Sequence, residues 1–188
     1  MPTFDRRHLL AAAAAGLALP AWAQTGDVAA LLKTGGLVIA FRHALAPGTF
    51  DPPGFKLGDC GTQRNLNDEG RAQARRIGAW FQARGLRPAA VRASPWCRCV
   101  ETAELAFGSA STWAALGSPR AGTEATNAQS LGELRRALAA QQPGRFEVWV
   151  THMFVLGDLL GVNTGSGEGL VLGLGADGQP RVLARLQV

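Results

Sequence analysis

The chain has 188 residues, 47% of them hydrophobic and 18% charged, with a formal net charge of +5. That is enough chain for one well-cored domain, and too apolar for a disordered polyelectrolyte. The arginines are scattered and no basic run is interleaved with aromatic residues, so the positive balance suits small anionic ligands and argues against nucleic acid.

At the N-terminus, Arg6-Arg7 precedes an apolar run, Ala11 to Leu19, too short to span a bilayer, and Ala21-Trp22-Ala23 has the small-x-small form of a cleavage site. Residues 1–23 are expected to be an export signal. The paired arginines resemble the twin-arginine type, with a general secretory signal as the alternative. Residues 24–188 would then form a single periplasmic domain with no membrane span, and loss of two arginines and one aspartate leaves a net charge of +4.

Asp27 to Lys33 reads as a short helix closed by Gly35-Gly36. The run Leu37–Phe41 has the length and composition of a strand buried on both faces and ends abruptly in Arg42-His43. Residues 44–65 form a long polar loop, a length usually tied to function. Asn67 can cap a helix that begins with Asp68 and Glu69, carries an apolar face through Ala74, Ile77 and Phe81, and closes at Gly85. Ala90 to Ala93 is a short strand. Ser94-Pro95 then opens a helix, with the proline in its first turn, running through Arg98 and Glu101 to Gly108. Thr112 to Leu116 is a weak strand, 118–127 is irregular, and Ser130 to Gln141 is an amphipathic helix. Phe146–Val150 is a clear strand ending in Thr151-His152, and Val155 to Leu160 is a short helix. Two closing strands, Leu170–Leu174 and Arg181–Leu186, are joined by the turn Ala176-Asp177-Gly178. Gly165–Gly169 reads as a mobile connection, since it precedes a strand where a phosphate loop would follow one. The alternation predicts a three-layer α/β/α sandwich with a mainly parallel sheet.

The cysteines are Cys60, Cys97 and Cys99. In an oxidising compartment they suit one disulfide and one leftover thiol. Cys97 with Cys99 is disfavoured because neighbours two apart diverge at a helix start, which leaves Cys60 with either partner. A lone Cys-x-Cys does not make a zinc site, and no metal or other cofactor is expected.

After the leader the chain has two histidines, His43 and His152, each directly following an apolar strand. In open α/β sheets the ligand crevice lies beyond the carboxyl ends of the strands. Arg42 precedes the first histidine, and Arg98 lies in the first turn of a helix that follows another strand. These groups would converge beside free helix N-termini, a site suited to a dianion such as a phosphoryl group.

Four short motifs carry a resemblance over nearly the whole mature chain. They are Arg42-His43-Ala44, Leu66-Asn67-Asp68-Glu69-Gly70-Arg71-Ala72-Gln73-Ala74, Ser94-Pro95-Trp96-Cys97-Arg98-Cys99-Val100-Glu101-Thr102-Ala103 and Thr151-His152. In this order they resemble the signatures of the histidine phosphatase superfamily, the phosphoglycerate-mutase-like fold, with Ala44 where the family has glycine. Thr62 to Leu66 is similar to a stretch in exported bacterial members. The resemblance implies a periplasmic phosphatase that acts on a phosphate monoester, small or envelope-attached. His43 would be the nucleophile that carries a phosphohistidine, and Arg42, Arg98 and His152 would form the phosphate pocket without a metal. Arg64 and Asn65 are candidate substrate contacts. The leaving-group acid that many members use would come from Asp51, Asp59 or Glu124, while Glu101 is expected to pair with Arg98. The apolar Met153-Phe154 after His152 keeps open a non-catalytic phosphate- or polyanion-binding module on the same fold.

Overall fold

The computed structural model describes residues 25–118 and 127–188. The predicted export leader and Glu124 lie outside these residues. Alternation along strand β1 (Leu37–Arg42) sets the layering. Leu37, Ile39 and Phe41 join one apolar cluster, and Val38 and Ala40 join another. A strand that buries alternate residues on opposite faces must lie between two layers.

The first layer is built from α1 (Thr25–Thr34), α2 (Asp68–Gln82) and α3 (Cys97–Phe107). Val28, Leu32, Ile77, Phe81 and Ala103 from these helices pack on Ile39, Phe41, Val148 and Val150. The second layer is α4 (Asn127–Ala139) and α5 (Met153–Leu160), whose Leu134, Leu138 and Leu156 cover Ala40, Trp149 and Leu170. Between them lies a six-stranded sheet in the order β3-β2-β4-β1-β5-β6. Its other strands are β2 (Ala90–Ala93), β3 (Ser111–Thr112), β4 (Phe146–Thr151), β5 (Gly169–Leu174) and β6 (Pro180–Leu186). The pairs β1–β4, β2–β4 and β2–β3 are parallel, while on the far side of β1 strand β5 runs antiparallel to β1 and β6 antiparallel to β5. The three-layer sandwich is the one the alternation predicts.

Two of the boundaries that differ from the sequence expectation have a tertiary cause. Helix α3 starts at Cys97, and Trp96 is its extended cap residue at φ −71°, ψ 136°, so Pro95 lies ahead of the helix. The residue before a proline is driven out of the helical region, which keeps Ser94 at the strand end, where its side chain is used. The strand expected over 112–116 stops at Thr112 and becomes a 3-10 turn over Ala114–Leu116. That turn drives Leu116 into the second core and offers its carbonyl to the Thr151 hydroxyl at 2.6 Å. Among the described residues, no helix is long and apolar enough to cross a membrane.

Candidate active site

Parallel pairing of β1 and β4 sets Arg42 opposite Thr151, so the next residue on each strand is a histidine. The His43 N–H donates to the Thr151 carbonyl at 2.9 Å, carrying the ladder one step past the strands. The two imidazoles meet edge to face with centroids 5.5 Å apart. On the other side of β4, the Ser94 N–H donates to Val150 O at 2.8 Å, bringing the end of β2 and then α3 to the same place. Three adjacent parallel strands thus deliver His43, His152 and Arg98 to one crevice. It is a cavity of about 330 Å³ lined also by Arg42, Asp51 and Arg64.

His43 is buried, with Nδ1 2.8 Å from the Ala44 carbonyl oxygen. A carbonyl can only accept, so Nδ1 carries the hydrogen and Nε2 keeps its lone pair. Burial pushes the His43 pKa down to about 3; the Ala44 bond opposes this, and Arg98, Arg64 and Arg42 add to it. The ring is therefore neutral at neutral pH and nucleophilic at one defined atom. Its turn is anchored to α3 by Thr102, whose hydroxyl accepts from Ala44 N at 3.0 Å and donates to Arg98 O at 2.6 Å.

Arg98 is 3% exposed. Its Nη1 and Nη2 donate to Asp51 Oδ1 and Oδ2 at 2.7 and 3.2 Å, and Nη2 lies 3.4 Å from His152 Nδ1. Arginine only donates, so His152 Nδ1 accepts and its Nε2–H donates to Ser94 Oγ at 2.8 Å. Burial holds His152 well below the usual histidine range, with Arg98 and the other cationic neighbours adding to the shift. Arg64 reaches the Ala46 carbonyl through Nη1, and burial and then Arg98 pull its pKa down to about 10. Arg42 donates to Thr164 O at 2.9 Å. The Nε groups of all three arginines are buried without a partner. Three crowded guanidiniums with unmet donors are set up to receive an oxyanion.

Residues 58–118, which span Arg64, α2, β2 and α3, match the family model described as "Histidine phosphatase superfamily (branch 1)". No curated protein matches the sequence. The solved protein histidine phosphatase SixA, complexed with tungstate, aligns over 80% of this chain and 96% of its own at 17% identity, TM-score 0.51. TTHB049 from Thermus thermophilus aligns over 81% and 99% at 20% identity, TM-score 0.53. A phosphoserine phosphatase from Entamoeba histolytica, a histidine-to-alanine mutant in complex with phosphoserine, aligns over 79% and 95% at 14% identity, TM-score 0.54. This is a histidine phosphatase fold.

Of the residues singled out from the sequence for this site, Arg42, His43, Arg64, Arg98 and His152 line one cavity. Asn65 does not line it; its amide donates to Cys60 O and Gln63 O at 2.7 and 3.2 Å and holds the turn beside the disulfide. Asp59 is likewise outside, capping the 3-10 turn Cys60–Thr62 by accepting from Gly61 N at 3.1 Å. Asp51 lines the cavity but is engaged by Arg98, by Arg64 N at 3.0 Å and by Trp96 Nε1 at 3.2 Å. Burial raises its pKa, but hydrogen bonds from Arg98 and the Arg64 backbone outweigh this and hold it below the usual carboxylate range, so it has no proton to give near neutral pH. Glu101 faces Arg71 at 3.5 Å, in place of the expected Arg98, which Asp51 already claims.

The disulfide joins Cys60 to Cys97, and Cys99 is free and buried. It ties the loop that carries Arg64 to the start of α3, one residue before Arg98. Ser94, Gln63 and Thr102 were not singled out by sequence reasoning as site residues. Ser94 and Thr102 are fixed positions of the α3 motif, which was the available signal. Gln63 Oε1 accepts from Cys97 N at 3.0 Å, a contact nothing in its spacing announces. Gly165–Gly169, expected as a loose connection, is held against the end of β1, with Gly167 N donating to His43 O at 3.1 Å and Gln73 Nε2 donating to Ser166 O at 2.8 Å.

Proposed function

We propose that the protein is a phosphatase that hydrolyses a phosphate monoester through a phosphohistidine on His43. The observation that carries this is the fixed tautomer of a buried neutral histidine, with Nε2 free in a cavity lined by three arginines. Similarity to solved phosphatases, one holding the tetrahedral oxyanion tungstate, supports the same reading.

Nε2 attacks phosphorus with its lone pair and the bond to the leaving oxygen breaks, that oxygen departing with the bonding electrons. Nδ1–H stays on the Ala44 carbonyl, which stabilises the positive charge the ring gains. Arg42, Arg64 and Arg98 hold the equatorial oxygens, where charge spreads in the transition state. Water then attacks phosphorus, the P–N bond breaks, and phosphate leaves with the Nε2 lone pair restored. His152, donating through Nε2–H to Ser94, keeps Arg98 oriented through Nδ1.

We place this activity in the periplasm, with residues 1–23 as the export signal. The Cys60–Cys97 disulfide supports an oxidising compartment.

The test is hydrolysis of p-nitrophenyl phosphate by residues 24–188, with chelator present. Turnover is expected to persist in chelator and to vanish in a folded His43→Ala variant, and rapid quench should trap acid-labile, base-stable phosphate on His43. Activity retained in that variant would refute the phosphohistidine. Phosphate binding without turnover of any ester or acyl phosphate would assign the site to a binding module.

A further inference from the structure

Beyond the arginines, the cavity entrance is built from rings. Phe50, Phe55 and Phe154 all line it. Phe50 stacks on Phe154 with centroids 6.3 Å apart and planes 15° from parallel, and Phe55 stacks on Trp96 at 5.5 Å and 19°. Phe50 is 67% exposed, an uncovered aromatic face at the mouth of the crevice. The remaining lining residues among those described, Thr49, Pro52, Gly54, Ser118 and Met153, are uncharged and offer two hydroxyls. The part of a substrate outside the phosphoryl group thus meets flat apolar surface with few partners for a polyol.

A second observation concerns the proton. Among the described residues, Asp51 is the one carboxylate lining the cavity, and Arg98, Arg64 and Trp96 occupy both of its oxygens. A leaving group that departs without a proton donor must be stable as an anion. A phenol ionises at about 10, whereas an alkanol, like water, holds its proton far more tightly.

We infer that the substrate is an aryl phosphate monoester, whose ring stacks in the Phe50–Phe154 entrance while its phosphoryl group sits among the arginines. This rests on the phosphohistidine reading above. In the chemical step the P–O(aryl) bond breaks, the phenolate leaves with the electron pair, and it takes its proton from solvent.

The experiment compares kcat/KM for a series of ring-substituted phenyl phosphates, for glucose 6-phosphate and for acetyl phosphate, a labile donor without a ring. Phenyl phosphate should exceed glucose 6-phosphate by at least about 100-fold, the size of an unreplaced general acid. Rates in the phenyl series should fall steeply as the phenol becomes more basic. Phe50→Ala should lower kcat/KM for phenyl phosphate about tenfold more than for acetyl phosphate, mainly through KM. Glucose 6-phosphate within about tenfold of phenyl phosphate would overturn the inference. So would equal losses on both substrates in Phe50→Ala, or a phenyl phosphate kcat that collapses in Glu124→Gln. These failures are separable from failure of the phosphohistidine itself, which shows as acetyl phosphate turnover surviving in His43→Ala.

Discussion

Free histidine exchanges its proton near pH 6.5, but His43 is held neutral down to about 3, and His152 is shifted the same way. Burial is the larger cause for both, with the arginines adding to it. Neither ring should therefore titrate between pH 8 and pH 5, which histidine Cε1–H shifts in an NMR titration would show directly. A titration near 6.5 at His43 would mean that the ring is wet and the nucleophile unformed. The acid limb of kcat/KM should instead follow the second ionisation of the substrate phosphate, near ~6. The same depressed pKa values fix the pH dependence of stability. Below 6.5 the unfolded chain binds protons that the native histidines refuse, so stability is full above that pH and lost as pH falls towards 3. Asp51, also depressed, acts in the same direction at lower pH. Urea unfolding at pH 7, 5 and 4 should give successively lower midpoints. Arg42, His43 and His152 were legible in the sequence because they stand at strand ends, and Arg98 because it opens the helix after one; Arg64 came from a loop stretch. The role of Asp51 was not, since spacing shows that a loop carboxylate can reach the crevice but not which cation claims it.

Helix α2 shows what its motif is for. A Cβ on Gly70 would lie 2.0 Å from the Leu45 carbonyl oxygen, so the helix start fits under the loop leaving His43 only as glycine. One turn on, Gln73 Oε1 accepts from Leu45 N at 3.0 Å, and its amide reaches Ser166 O. The motif thus clamps the backbone beside His43 from outside the cavity lining. Gly70→Ala should cost about 1–3 kcal/mol through forced backbone shifts and lower kcat with it, read by thermal melting and turnover together. Gly78, where a Cβ would lie 2.2 Å from Ala106 O, sets the approach of α2 to α3 in the same way. Helix α2 and its Asn67 cap were legible because periodicity, cap and acidic first turn agree; the Asn67 side chain accepts from Gly70 N as expected. The start of α3 and the end of β3 were misplaced for a common reason. In both places a tertiary contact, Ser94 with His152 and Leu116 with the core, overrides local preference.

Across the whole molecule, the layer order was readable because β1 and β4 are apolar on both faces. The antiparallel direction of β5 against β1 was not, since a strand's sequence does not record which way its neighbour runs. The Cys60–Cys97 bridge spans 37 residues of sequence. Closing a loop of that size in the unfolded chain is worth about 4 kcal/mol on the chain-entropy model. A Cys60→Ser, Cys97→Ser variant should lose stability of that order in chemical denaturation. It should also raise KM, because Arg64 and Arg98 flank the two ends of the bridge. An unchanged KM would show that the two segments hold their places without it.

Cys99 stands two residues from that bridge, fully buried, its thiol near the Thr151 carbonyl and the His152 ring. Burial pushes its pKa up to about 12, so it carries essentially no thiolate at neutral pH. Thiol–disulfide exchange needs a thiolate that can reach a sulfur atom in line. Three cysteines allow three pairings while the chain is open, but docking α3 on β4 removes one competitor. From then on the folded protein has no internal thiol able to reshuffle its one cross-link.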